Sequence, residues 1–378
     1  MTDAAPLLGE YLDGPTYTFL KTVGAGASGK SRLWLNEVLG IKVVSKTIDT
    51  FGLVGGIAKS EPRFLASLKH DHLVRIWEAQ FDEGFDPSLK VVTFTTTYHE
   101  GRSVATALEE GHQFSVADAI RISADVLDAL AYMHEDHRLL HRDVKPGNVM
   151  LDADRRRGYL GDLGSAAELD ASEQAPASGC TLAYRPPEFA TGNVTVRSDL
   201  YGVGLLALEM LNGPIPWDEQ NGDAMERRLA EGRRALPNRF YDPAPWVPPQ
   251  VARAVRCLAA VGADTRPESA AAALRSLANA SCVDWKRADG TGLVGTWDGT
   301  YPPGVPTRRA RVFRVTAKPI ESGKYKGLVE LTAGWRNGGS ADWRGYASLT
   351  RRVAAGAPGP LAAFFREVER KAQDAPTR

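Results

Sequence analysis

The sequence predicts an α+β protein built in three parts, and each part contributes one observation. Residues 1–101 hold short segments rich in β-branched and aromatic residues, which are typical of strands. Residues 102–283 carry apolar side chains at helical spacing. Residues 284–378 return to short alternating segments and close with a helical pattern, so a small antiparallel β unit with a terminal helix is expected there.

The first part is predicted to contain five strands and one helix. Turn-forming residues separate the strands, and the helix lies between the third and fourth of them, where Phe64, Leu65 and Leu68 share one side. The predicted elements are the strands Tyr17–Val23, Ser31–Leu35, Ile41–Thr47, Val74–Phe81 and Lys90–Thr97 and the helix Glu61–Leu68.

Four helices are predicted in the second part. Ser115 and Asp118 form a capping box at the start of the first helix. The second helix is apolar nearly all round, which indicates burial in a large domain. The predicted helices are Val116–His134, Ser198–Leu211, Val251–Val261 and Ser269–Ala280.

Four strands are predicted in the third part, because Pro-Pro-Gly, Glu-Ser-Gly and Asn-Gly-Gly separate its alternating segments. The terminal helix is predicted at Pro360–Lys371. The predicted strands are Gly295–Tyr301, Arg309–Ala317, Tyr325–Thr332 and Trp343–Leu349.

Composition excludes several classes of protein. The chain has 378 residues, of which 43% are hydrophobic and 24% charged, so disorder throughout is excluded. The 46 basic residues balance the 46 acidic ones, although residues 281–352 carry 13 basic and 6 acidic side chains. No apolar run reaches the ~20 residues of a membrane helix, no signal peptide is recognisable, and the three cysteines form no C-x-x-C pair. We therefore expect a cytoplasmic protein without a membrane segment.

Residues 24–31 satisfy two phosphate-binding patterns at once. As G-x-G-x-x-G they provide Gly24, Gly26 and Gly29, a hairpin that lies close over nucleotide phosphates. As G-x-x-x-x-G-K-S they form a P-loop with Lys30 and Ser31, which must open a helix. The residues after Ser31 fit two strands around a turn better than a helix, so the glycine hairpin is favoured.

The strongest pattern is H-R-D-V-K-P-G-N at residues 141–148, followed by D-L-G at residues 162–164. Through these motifs the sequence resembles the eukaryotic-like (Hanks-type) Ser/Thr protein kinases over about residues 15–280. The resemblance implies a bilobal protein-kinase fold, with a β-rich N-lobe at 1–101 and an α-helical C-lobe at 102–283. It leaves the basic module at 284–378 without a family.

The resemblance also implies ATP and Mg²⁺ as cofactors and assigns roles in phosphoryl transfer. Asp143 would accept or orient the attacking hydroxyl, and Lys145 would offset charge on the γ-phosphate. Asn148 and Asp162 would hold Mg²⁺ through hard oxygen ligands. Leu163, where the family usually has phenylalanine, does not affect Asp162.

Two lysines compete for the role of contacting the α- and β-phosphates, because Lys42 and Lys46 lie on the same face of the third strand. The family pattern favours Lys46 and leaves Lys42 as an alternative. Glu61 is its expected partner, although Pro62 disfavours helical geometry at Glu61 and leaves open an unpaired helix-start glutamate.

The hinge and the activation segment complete the resemblance. Thr96 would guard the adenine pocket, and the backbone of Thr97 and His99 would meet the base, unless this stretch is a plain strand exit.

Thr181 would lie near Asp143 and Lys145, as in kinases that act on serine or threonine. Three more expectations follow: activating phosphorylation at Ser172, Ser178 or Thr181 near Arg142, a buried Glu188–Arg266 ion pair, and a brace from Asp199 to the catalytic loop.

Half of the tryptophans lie in the basic third part, at positions 285, 297, 335 and 343. Aromatic residues interleaved with basic ones can bind nucleic acid, but a small β domain also needs large aromatics for its core. The core interpretation is favoured over peptide binding, and nucleic acid is the least favoured. The partner of this module stays unknown.

The sequence thus predicts an ATP-dependent protein kinase that phosphorylates Ser/Thr hydroxyls of proteins, itself included. Three alternatives remain open: a pseudokinase scaffold, an aminoglycoside-type small-molecule kinase and a P-loop NTPase. The intact Lys46, Asp143, Asn148 and Asp162 argue against the scaffold, and Lys145 and the 181–188 stretch favour protein substrates.

Overall fold

A computed structural model describes residues 16–26, 29–48, 60–81, 92–278, 282–303 and 307–374. The first part forms a five-stranded antiparallel sheet in the order β1-β2-β3-β5-β4. Its strands are β1 (Tyr17–Gly26), β2 (Gly29–Asn36), β3 (Ile41–Ile48), β4 (Ile76–Phe81) and β5 (Val92–Thr97). All five predicted strands are therefore present, while residues 90 and 91 of the fifth lie outside the described residues.

Helix α1 (Ser60–Ser67) connects β3 to β4 and packs against the first sheet. It begins just before Glu61, as expected when a proline follows directly. Pro62 lies in the first turn, where the missing amide hydrogen would have no partner within the helix anyway, so the helix accommodates it. Leu65 and Leu68 are buried.

The second part is mostly helical. Helix α3 begins with the predicted cap, since Asp118 N donates to Ser115 Oγ at 3.1 Å. The helices are α2 (Val104–Glu109), α3 (Val116–His137), α4 (Val196–Asn212), α5 (Gly222–Ala230), α6 (Pro249–Leu258) and α7 (Ala270–Ala278). Short strands connect them: β6 (Arg102–Ser103), β7 (Leu139–Leu140), β8 (Val149–Leu151), β9 (Gly158–Leu160), β10 (Ala167–Glu168), β11 (Ala175–Pro176) and β12 (Asn193–Val194).

Helix α4 is the buried centre of this part. It packs against α3, α6 and α7, and every residue from Ser198 to Leu211 is buried. That burial explains why its sequence is apolar on all sides instead of carrying a polar stripe. The helix begins with a capping box between Thr195 and Ser198, which fixes the position of Asp199 one residue further on.

The third part is a five-stranded antiparallel sheet in chain order, covered on one face by helix α8 (Pro358–Gln373). Trp297, Phe313, Leu331 and Phe365 are buried between sheet and helix. The strands are β13 (Asp284–Thr291), β14 (Val294–Tyr301), β15 (Arg311–Pro319), β16 (Leu328–Asn337) and β17 (Arg344–Ala354). This sheet has one strand more than expected, because β13 is polar and was not recognised.

The sheet of the third part packs directly on the helical part. Asp284 Oδ1 accepts a hydrogen bond of 2.7 Å from Ala117 N and thus adds a second cap to α3. Trp246 lies 5.3 Å from Trp297, ring centroid to ring centroid. Buried residues of both parts form one continuous hydrophobic cluster. The helical part and the third part therefore share a core.

Candidate active site

A cavity of about 510 Å³ lies between the first sheet and the helical part. This volume is in the range of small-molecule and cofactor sites. Thr22, Val23 and Ser31 of the first two strands lie on its sheet side. Its walls also include seven residues predicted from the sequence, namely Lys46, Glu61, Thr96, Thr97, His99, Asn148 and Asp162.

Lys46 lies at the centre of a buried ion cluster. Its Nζ is 2.9 Å from Glu61 Oε2 and 2.8 Å from Asp162 Oδ1. The Nζ of Lys42 instead lies 2.8 Å from Glu100 Oε1, and the Lys42 side chain is 45% exposed. Of the two competing lysines, only Lys46 lines the cavity.

The three charges of this cluster are unequally stabilised. Burial lowers the pKa of Lys46, but the Glu61 and Asp162 carboxylates outweigh that effect and raise it overall. Burial raises the pKa of Glu61 to about 7 despite the opposing charge of Lys46. Burial also acts to raise the pKa of Asp162, yet Lys46 lowers it overall. Asp162 therefore keeps its charge at neutral pH more firmly than Glu61.

Asp162 and Gly164 show why the D-x-G pattern is needed here. Asp162 adopts a left-handed backbone conformation with φ of 60°, which turns the chain back beneath the cavity. A Cβ atom on Gly164 would lie 3.2 Å from Asp162 Oδ1 and 3.3 Å from Glu61 Oε2. Only glycine leaves these two carboxylates their present positions without displacing one of them.

Asp143 is held by residues of its own loop and of the 162–188 segment. Lys145 Nζ is 2.6 Å from Asp143 Oδ2 and 2.6 Å from Thr181 Oγ1. Thr181 N donates to Asp143 Oδ1 at 2.9 Å. Asn148 Nδ2 donates to both Asp143 O at 2.8 Å and Asp143 Oδ2 at 3.1 Å. The four predicted residues of this loop and segment thus meet at one carboxylate.

Asn148 and Asp162 fit the requirements of a magnesium site. Because the amide nitrogen of Asn148 is used by Asp143, its amide oxygen is the group left for a metal. Asp162 offers a charged carboxylate in the same cavity. Amide and carboxylate oxygens are the hard ligands that Mg²⁺ prefers.

Asp199 braces the backbone of the catalytic loop from below. Its Oδ2 accepts from His141 N at 2.8 Å, and its Oδ1 accepts from Arg142 N at 2.7 Å. His134 Nε2 lies 2.9 Å from Asp199 Oδ2. Burial acts to raise the pKa of Asp199, but its hydrogen bond and charge interaction with His134 lower it overall. This contact fixes Arg142 at a positive φ of 66°.

Glu188 and Arg266 form the expected buried ion pair. Arg266 Nη1 and Nη2 lie 2.6 Å and 2.8 Å from the two carboxylate oxygens of Glu188. The Arg266 side chain is 0% exposed and also donates to the carbonyl oxygens of Ala260, Arg197 and Val261. The pair ties the end of the 162–188 segment to α4 and to the loop before α7.

The glycine-rich segment is a strand hairpin. In the pairing of β1 with β2, Gly24 lies opposite Ser31 and Gly26 lies opposite Gly29. Since Gly29–Asn36 is a strand, no helix follows Lys30 and Ser31 as a P-loop would require. The P-loop alternative is therefore wrong.

In the hinge, Thr97 and His99 each have one backbone group bonded within the protein and one left for a ligand. Thr97 N donates to Arg75 O, so only the carbonyl of Thr97 is left for a ligand. The carbonyl of His99 accepts from Arg102 N, which leaves the N–H of His99. The sequence reasoning did not separate these groups, and it also missed Ser103 and Thr106, which line the cavity at the start of α2. The N-cap pattern of Ser103 with Thr106 was the available signal.

His99 gives the stability of the protein a specific pH dependence. Burial lowers the pKa of His99 to about 4, against a weaker opposing effect of Asp152. Below pH 6.5 the unfolded chain takes up a proton that the folded protein refuses, so stability is lost as pH falls. We expect this histidine to account for on the order of 2 kcal/mol between pH 7 and pH 4.5.

Urea unfolding of the wild type and of His99→Phe at both pH values measures this loss. Phenylalanine can keep the ring contact with Tyr159, whose centroid lies 4.2 Å from that of His99. The variant should lose about 2 kcal/mol less than the wild type. An equal loss in both proteins would show that His99 is protonated as easily in the folded protein as in the unfolded chain.

A β-rich lobe over a helical lobe, with a lysine–glutamate pair in the cavity between them and an aspartate held in a braced loop, is the arrangement of a protein kinase. A family profile of the protein kinase domain matches residues 17–272. The chain belongs to the protein kinase domain family. The predicted fold class, an α+β bilobal kinase fold with an additional antiparallel β sheet, is confirmed.

Curated relatives of this chain are named as kinases. The probable serine/threonine-protein kinase pknA2 of Bifidobacterium longum is 28% identical over 69% of this chain and 34% of its own length. Serine/threonine-protein kinase PksC of Streptomyces coelicolor is 32% identical over 66% of this chain and 46% of its own length. The Aurora kinase of Schizosaccharomyces pombe is 27% identical over 58% of this chain and 61% of its own length. The chain thus spans less than two thirds of each of these relatives.

Proposed function

We propose that this chain is an ATP-dependent protein kinase that transfers the γ-phosphate to Ser/Thr hydroxyls of protein substrates, itself included. One observation carries the proposal: predicted residues of both lobes meet at one cavity. Lys46 Nζ lies 2.8 Å from Asp162 Oδ1, and Asn148 Nδ2, at the same cavity, lies 3.1 Å from Asp143 Oδ2. Phosphoryl transfer depends mainly on such positioning and charge neutralisation.

The nucleotide is expected to bind along the cavity from the hinge to Lys46. The Thr97 carbonyl and the His99 N–H would meet the base, while Lys46, held by Glu61, would neutralise the α- and β-phosphates. The hairpin with Gly24, Gly26 and Gly29 would cover the phosphates, because glycine allows close backbone approach.

Mg²⁺ would be held by Asn148 and Asp162, and when bound it neutralises charge on the phosphates. Asp143 would accept the proton of the attacking hydroxyl. The Lys145 ammonium, 2.6 Å from that carboxylate, would offset charge on the transferring phosphate. ATP and Mg²⁺ are therefore part of the proposal.

A preference for serine and threonine is supported by Thr181, which lies between Lys145 and Asp143 at the expected position.

The domain division is proposed as 1–101, 102–283 and 284–378, with a partner of unknown kind for the last. None of the described helices is long and apolar enough to span a membrane. Cytoplasmic location is part of the proposal because ATP and protein substrates are abundant there.

Autophosphorylation is expected at Ser178. Among the three candidate hydroxyls, only Ser178 contacts Arg142, whose Nη1 donates to Ser178 Oγ at 2.8 Å. Ser172 instead donates to Asp170, and Thr181 contacts Lys145. A phosphate on Ser178 would gain a charge-assisted bond to Arg142 and so order the segment.

The full chain incubated with [γ-³²P]ATP, Mg²⁺ and a generic protein substrate tests the proposal. We expect label on the substrate and, by mass spectrometry, on Ser178. Ser172→Ala serves as the matched control and should leave the substrate labelling unchanged, whereas Ser178→Ala should reduce it about tenfold. Nucleotide binding without transfer to any protein would favour a pseudokinase scaffold instead.

A further inference from the structure

A second cavity, of about 360 Å³, lies where the helical part meets the third part of the chain. One wall is the Pro243–Pro249 loop with the start of α6, and the other is helix α8. It shares no lining residue with the cavity around Lys46. Its volume is in the range of small-molecule sites.

The interior of this second cavity is apolar and aromatic. Trp246, Val247 and Ala252 face it from the helical part, and Ala362 and Phe365 face it from α8. Phe365 is 3% exposed and stacks edge-on against Trp297 at 5.5 Å between ring centroids. These walls expose little surface to water, so an apolar body that fills the space would gain mainly dispersion contacts with them.

The mouth of the cavity is cationic. Arg253 and Arg256 of α6 and Arg366 of α8 line it and are exposed. Arg256 lies 3.4 Å from Asp242. Within the described residues no carboxylate pairs with Arg253 or Arg366, so two guanidinium groups from opposite walls lack a counter-ion.

Further positive charge and two unsatisfied donors lie behind the aromatic wall. The Arg287 guanidinium lies 4.6 Å from the Trp246 ring centroid and 5.1 Å from that of Trp297. Among the described side chains, Arg287 Nε and Trp297 Nε1 are buried donors without a protein acceptor. Neither residue lines the cavity, so the Arg287 guanidinium would act on a ligand there only through its charge.

One carboxyl group, that of Glu369, lines the cavity. Glu369 is 7% exposed, and its Oε1 accepts from Val283 N at 3.1 Å. Burial raises the pKa of Glu369. Arg253 and Arg366 outnumber this one carboxyl group on the lining of the cavity.

We propose that this second cavity binds a small molecule with an apolar body and one anionic head group. The body would cover Trp246 and Phe365, and the head group would pair with Arg253 and Arg366. Because α6 and α8 each supply one of these arginines, the ligand fastens the third part of the chain to the kinase lobe. The proposal is independent of the phosphotransfer activity.

The probe for this site is 1-anilinonaphthalene-8-sulfonate, an aromatic sulfonate whose fluorescence rises in an apolar environment. It is titrated into the full chain in the presence of a saturating, non-hydrolysable ATP analogue with Mg²⁺, which keeps it out of the nucleotide cavity. We expect one saturable site and a melting temperature that rises with probe concentration.

Two variants and one control locate the probe. Ala362→Trp fills the cavity and should abolish the saturable site, and Arg253→Gln with Arg366→Gln should weaken binding by about tenfold. Arg370→Gln removes an exposed arginine of α8 that does not line the cavity and should bind as the wild type does. Circular dichroism and thermal unfolding verify that each variant is folded.

The charge requirement is tested on the wild-type protein alone with N-phenyl-1-naphthylamine, which resembles the probe but lacks the sulfonate. We expect it to bind about tenfold more weakly. The proposal is overturned if no saturable binding is seen, if Ala362→Trp binds the probe as the wild type does, or if the neutral dye binds as tightly as the sulfonate.

Discussion

Asp143→Asn is expected to lower phosphoryl transfer by about 10³-fold or more while nucleotide affinity changes little. Asn148 and Lys145 both contact the Asp143 carboxylate, and Asp199 fixes the backbone of the loop. An amide at this position keeps the shape but cannot take the proton of a hydroxyl nucleophile. Steady-state transfer of ³²P and calorimetric binding of Mg·ATP measure the two effects separately.

Asp154→Asn is the matched control for this change, because Asp154 is an exposed aspartate on the same stretch of chain. It should transfer phosphate at the wild-type rate. Retention of more than about a tenth of the activity by Asp143→Asn would show that Asp143 does not act as the base.

Arg266→Met should destabilise the protein by about 3 kcal/mol, since it removes the cation from the partly buried Glu188 carboxylate, which keeps its hydrogen bond from Ser198 Oγ. The fully buried Arg266 also satisfies three carbonyl oxygens, which would lose their donors. The midpoint and slope of urea unfolding give the free energy of unfolding of the variant and of the wild type.

Arg256→Met is the control, because the Arg256–Asp242 pair is exposed and should contribute less than about 1 kcal/mol. Combining Arg266→Met with Glu188→Gln should cost less than the sum of the two single changes, since no unpaired charge remains. Strict additivity, or a loss below 1 kcal/mol for Arg266→Met, would contradict a structural role for this ion pair.

The catalytic constellation could be predicted because its chemistry needs fixed residue types at short spacings. The His141–Asn148 loop is one continuous segment, and Asp162 follows it closely, so a linear pattern captures their proximity. The choice between Lys42 and Lys46 needed the structure, because both lie on the same face of β3, and only the structure shows that Lys46 lines the cavity while Lys42 is exposed beside Glu100.

Pro62 lies within a helix even though proline disfavours helical geometry at the residue before it. A proline next to Glu61 made the Lys46–Glu61 pair uncertain from the sequence. Because the helix begins at Ser60, the proline falls in its first turn, and Glu61 still reaches Lys46 at 2.9 Å. The sequence predicts the start of this helix to within one residue, but it could not supply the contact between Glu61 and Lys46, which joins the helix to a strand.

The third part was predicted less completely than the kinase lobes. Strand β13 was missed because Asp284–Thr291 holds mostly polar residues and glycine, which are depleted in strands. Its pairing with β14 is a local hairpin, whereas its packing against α3 joins residues that are distant in sequence. Helix α8, with an apolar stripe at helical spacing, was recognised.

For two of the four tryptophans of the third part, packing answers whether they belong to the core or to a binding surface. Trp285 and Trp297 are buried in the core, as the favoured interpretation expects. Trp343 is instead 36% exposed, with the guanidinium groups of Arg314 and Arg336 at 4.4 Å and 5.1 Å from its ring centroid. This indole lies outside the core, so the nucleic-acid interpretation stays a prediction for it.

The most direct test of the proposed active site compares Lys46→Met with Lys30→Met in single-turnover transfer from [γ-³²P]ATP. Lys46 lies at the junction of Glu61, Asp162 and the cavity, so its loss should reduce transfer by about 10²-fold or more. Lys30→Met should retain most of the activity. Loss of transfer in Lys30→Met with full activity in Lys46→Met would contradict the proposed site.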